Sequence, residues 1–71
     1  MIGSFTVGDK TINVSTDYSH VDGRVYLLTD AKSQEQVACT TYRGLNVVDE
    51  FGLSKRDLQD GLRAVLRQAA R

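Results

Sequence analysis

His20 and Cys39 are the only histidine and the only cysteine in the chain, and they form its one candidate nucleophile–base combination. Such a pair works when the imidazole takes the thiol proton and a third group, here Asp22, orients the ring. Cys39 sits inside "VACTTYR", an apolar, β-branched run, where a thiol packs as a small buried hydrophobe with little reactivity. One His and one Cys fall short of the four ligands of a structural zinc site. The six glycines stand singly, so no glycine-rich phosphate loop occurs, and no carboxylate pair stands out from the surface charges. The sequence points away from an enzyme and toward a protein with no cofactor and no metal.

A second chemistry is cationic. Arg56, Arg63, Arg67 and Arg71 recur through "GLSKRDLQDGLRAVLRQAAR". At 100° per residue they fall within about 80° of one another, close to opposite the apolar stripe of the same segment. Asp60 lies among them at pairing distance in sequence. Two roles fit. The row is the solvated side of a core-facing helix, with cations set late against the dipole, or it is a contact for an acidic protein or a phosphate backbone. A row of this size reaches about 3–4 phosphates, few for tight binding at physiological salt.

The elements that position these groups follow from periodicity. "IGSFTV" and "TINVST" alternate apolar and polar residues around "GDK", which describes a hairpin with one buried face. Asp22-Gly23 is a strong turn pair. "RVYLLT" is apolar on both parities and reads as an inner strand, and "VACTTYR" follows as the fourth. Leu45, Val48 and Phe51 lie three apart before Gly52, which predicts a short helix with an αL stop. Ser54 then begins a second helix, with Asp57 three residues on in the manner of a capping box. Its stripe is Leu58, Gly61, Leu62, Val65, Leu66 and Ala69. The expected fold is a single α+β domain over residues 1–71. It is a four-stranded antiparallel sheet of two hairpins, with a short helix and a C-terminal amphipathic helix packed on one face.

Strict alternation places Val25, Leu27, Val37 and Cys39 on the helix side with Phe5, Val7, Ile12 and Val14. It sends Tyr26, Leu28, Ala38, Thr40 and Tyr42 to the opposite face, with Tyr18 joining from the preceding segment. A face carrying tyrosines and a leucine is a candidate interface for a protein partner or a second copy. Alternatively, the residue 45–51 helix folds over it. A one-residue bulge would reverse the parity.

Composition bounds the rest. Seventy-one residues, with nine basic and nine acidic side chains, carry no net charge. Residues 1–50 hold seven acids and four bases, net −3, and residues 51–71 hold five bases and two acids, net +3. The balance disfavours a general nucleic-acid or membrane binder. The lone cysteine excludes an intrachain disulfide and suits a reducing, cytoplasmic setting. No apolar run approaches the ~20 residues of a bilayer crossing, and the N-terminus lacks a signal-peptide pattern.

The second half, "VACTTYRGLNVVDEFG" and a helix ending "LRQAAR", resembles a small bacterial domain family without an assigned activity. Val37, Cys39, Leu45, Phe51, Gly52 and Arg63 carry the resemblance, which spans residues 25–71. It implies a fold and a bacterial or phage origin. The functional expectation is a small regulator or inhibitor that binds another protein, with pairing to a second copy, through Tyr18, Tyr26, Leu28 and Tyr42. The alternative is a nucleic-acid accessory that lays the helix arginines against phosphates.

Overall fold

The computed structural model describes residues 1–21 and 23–70; Asp22 and Arg71, both singled out in the sequence, lie outside them. Strands β1 (Gly3–Val7) and β2 (Lys10–Ser19) form the expected hairpin, with Gly8 at φ 61° supplying the left-handed residue of the turn. Phe5 lies opposite Ile12 and Gly3 opposite Val14, so the apolar residues of both strands share a face. Strands β3 (Gly23–Asp30), β4 (Gln36–Thr41) and β5 (Gly44–Val47) continue as an antiparallel meander in chain order.

The sheet therefore has five strands where four were expected. The segment anticipated as a helix over residues 45–51 divides: its first part is β5, and only Asp49–Phe51 turns, as a single 3-10 turn. Leu45 and Val47 alternate toward the core opposite Thr40 and Ala38, so strand pairing captures two apolar side chains that helical spacing would have split. Gly52 is the expected left-handed stop, at φ 63°.

Parity on β3 is also reversed from expectation. A turn centred on Asp22-Gly23 would pair Val21 with Arg24; instead Ser19 pairs with Gly23 and Tyr18 with Arg24. That shift of three residues, an odd number, moves every side chain of β3 to the other face. Val14 thus lies opposite Leu28, and Leu28 is completely buried. On β4 the register slips between Leu28 and Thr29, which pair with Ala38 and Gln36 and leave Val37 as the bulged residue. Val37 and Ala38 are both buried in consequence. Cys39 pairs with Leu27, on the side away from the core.

Helix α1 (Lys55–Ala69) closes the core. Ser54 is its N-cap, and its hydroxyl accepts from the Asp57 backbone N–H at 3.4 Å. Among the described residues the Asp57 carboxylate makes no return bond, so the capping box is half made. Leu58, Leu62 and Val65 are buried as the stripe requires, each contributing about 1.5–3 kcal/mol of transfer free energy before entropy. Gly61 faces the Phe5 ring so closely that a Cβ there would overlap it. Gly3 lies under Val65, where an added Cβ would come within 2.8 Å of a Val65 methyl. Two missing side chains thus set how near α1 lies to β1. No helix among the described residues is long and apolar enough to cross a membrane.

Candidate functional site

The outer side of α1 is the first candidate. Burial of Leu58, Leu62 and Val65 fixes the helix rotation, and Arg56, Arg63 and Arg67 are accordingly exposed. Arg67 lies eleven residues beyond Arg56, about 16 Å along the helix. Asp60 is also exposed and stands three or four residues from Arg56 and Arg63, yet none of the three arginines forms an ion pair among the described residues. The guanidiniums keep their full donor capacity for a partner. Arg71, the fourth member of the expected row, falls outside the described residues.

The single salt bridge among the described residues lies elsewhere, between Lys10 Nζ and Asp30 Oδ2 at 3.5 Å. Asp30 is buried, and the Lys32 backbone N–H donates to its Oδ1 at 3.0 Å. That bond, helped by the Lys10 charge, holds the Asp30 carboxyl below its ordinary value against the opposing push of desolvation. The arrangement ties the β3–β4 connection to the start of β2. Asp9 and Lys32 line the same pocket.

The expected tyrosine surface is not assembled. Leu28 belongs to the core, and Tyr26 is half-buried against it. Tyr26 shares the covered face with Thr16, its partner across β2, and its backbone N–H donates to Thr40 Oγ1 at 2.8 Å. Tyr18 and Tyr42 are exposed, at 75% and 68%. Tyr42 occupies the two-residue turn between β4 and β5, where the Arg43 guanidinium stacks 5.4 Å from its ring centroid and Arg43 Nε donates to Tyr42 Oη at 3.0 Å. A cleft of about 640 Å³ separates this turn from the start of α1, with Arg43 and Lys55 in its walls.

The register also parts the candidate nucleophile from its base. Cys39 lies opposite Leu27, four residues along β3 from Gly23, next to the connection that carries His20. Four strand residues are about 13 Å. Cys39 is half-buried on the face opposite α1, where it had been expected beneath the helix.

The residues that sequence reasoning missed are those of this uncovered face. Val25, Leu27 and Cys39 form its apolar centre, each half-buried. Around them β1 and β2 present Ser4, Thr6, Asn13 and Ser15. The signal that would have found them is the length of the β2–β3 connection, because three residues rather than two place Leu27 beside Ser15. The chain matches no protein-family model, no curated protein and no solved structure.

Proposed function

We propose that this protein is a small non-enzymatic accessory module, a regulator or inhibitor, that acts by docking an acidic segment of another protein on the outer face of α1. One observation carries the reading. Arg56, Arg63 and Arg67 line one side of a capped, core-anchored helix, and all three are exposed and without ion pairs among the described residues. A rigid helix presents such groups at little entropic cost on binding. Guanidinium forks match carboxylates in a way that survives partial desolvation. The net charge of +3 over residues 51–71 favours approach of an acidic partner, and the −3 over residues 1–50 disfavours a long nucleic acid laid across the molecule.

The test is titration of the protein with a fluorescent oligoglutamate peptide and, separately, with a single-stranded DNA oligonucleotide, each at several salt concentrations. The peptide is expected to bind, to weaken with salt, and to lose at least tenfold in affinity in the double variant Arg63→Glu/Arg67→Glu. Circular dichroism of that variant should match the parent. Peptide binding that ignores the charge reversal removes the proposal. Tighter binding of the oligonucleotide, lost in the same variant, replaces it with the phosphate-contact reading.

A further inference from the structure

We propose that the uncovered face of the sheet is a self-association surface, on which a second copy of this chain packs face to face about a two-fold axis. The first ground is charge. A quarter of the chain is Asp, Glu, Lys or Arg. On this face, among the described residues, no strand position holds a Lys or Arg, and Asp17 is the single carboxylate. Antiparallel sheets often leave one face to water, but a face built for water alone carries the chain's usual share of charge. Depletion of charge is instead the compositional mark of an interface centre.

The second ground is where the apolar groups sit. Leu27 lies on the middle strand, between Ser15 on β2 and Cys39 on β4, with Asn46 beyond on β5. Val25 is two residues along on the same face. The three apolar side chains are therefore contiguous, with small uncharged residues around Leu27 and Cys39 and Asp17 opposite Val25. That is the arrangement of a dry centre with a hydrogen-bonding rim.

The third ground is size and self-complementarity. Five strands about 4.8 Å apart give a face roughly 20 Å wide, and strands of four to ten residues run roughly 13–33 Å along it. With side-chain relief this is of the order of the ~800 Å² per partner buried in a standard interface. Each copy brings one carboxylate, Asp17, so the two-fold axis must set the two Asp17 side chains apart, and short Ser and Thr side chains allow the ~10 Å separation of packed sheets. The product is a helix–sheet–sheet–helix sandwich. Its residues are separate from the α1 arginines, so the two proposals stand or fall independently.

The experiment is light scattering of the full chain from about 1 to about 300 µM, which brackets a micromolar dissociation constant, with Cys39 labelling by a soluble thiol reagent alongside. The expected mass rises to twice 7.9 kDa. In Leu27→Asp it should stay at the monomer value while circular dichroism is retained, because the Leu27 side chain lies outside the core. Cys39 should label at least tenfold faster in that variant than in the concentrated parent. If Leu27→Asp fails to fold, Ser15→Lys places a charge at the same centre, and a folded monomer is expected from it. A parent that remains monomeric over the whole range overturns the proposal and leaves the face to a different protein or to solvent. A dimer that persists in both variants, with unchanged labelling, also overturns it.

Discussion

The two faces of the sheet are made by the same strands, one residue out of step. Val14, Leu28 and Ala38 lie side by side on one face; Ser15, Leu27 and Cys39 lie side by side on the other. On the first, Val14, Leu28 and Ala38 are completely buried beneath α1. On the second, no helix among the described residues covers them. The contrast separates two duties. Cohesion is vested in the covered face, where each lost methyl leaves a cavity, while the other face tolerates change because its side chains end at solvent.

Leucines at 27 and 28 give the sharpest way to break that contrast. Leu28→Ala should destabilise the protein by about 2–5 kcal/mol, a large part of the stability of a domain this small. Leu27→Ala, measured in dilute solution, should cost less than about 1 kcal/mol. Urea midpoints of the two variants decide it, and equal losses would abolish the distinction between the faces. Next in size is Gly61→Ala. Alanine favours a helix by about 1 kcal/mol over glycine, yet its Cβ would meet the Phe5 ring, and overpacking costs about 1–3 kcal/mol. A net loss in thermal midpoint is expected, recovered in part when Phe5→Leu is added.

The smallest effect concerns Asp30 on the covered face. Its folded carboxyl titrates below the unfolded value, so its stabilising contribution is complete above pH ~4 and disappears as pH falls through the folded value. Asp30→Asn should lower the thermal midpoint at pH 6, and the gap from the parent should close toward pH 3. A gap that widens in acid would contradict the sign.

The parts of this architecture that were legible are those with a single dominant period. Phe5, Val7, Ile12 and Val14 alternate cleanly, and Leu58, Leu62 and Val65 mark a helix that Ser54 begins. Strand β3 was ambiguous because "RVYLLT" is apolar on both parities, and the connection length decided which leucine went inward. The bulge at Val37 depended on neighbours in space, which periodicity along one strand does not contain. At residues 44–51, four residues of strand and a three-residue turn are each too short to display a period. Of the candidate site, the exposure of Arg56, Arg63 and Arg67 followed from the helical wheel, and Arg71 lies outside the described residues. The tyrosine surface failed with the β3 parity on which it rested.

The close passage of α1 over β1 has a kinetic meaning. Every strand pairs with its neighbour in sequence, so each hairpin can zip after closing only a short loop. The approaches of Phe5 to Gly61 and of Gly3 to Val65 join regions more than fifty residues apart, and that closure is entropically the most demanding step of folding. The meander can form early and transiently, but its greasy side stays open until the last helix arrives. Docking of α1 is therefore the event that commits the chain to its folded state.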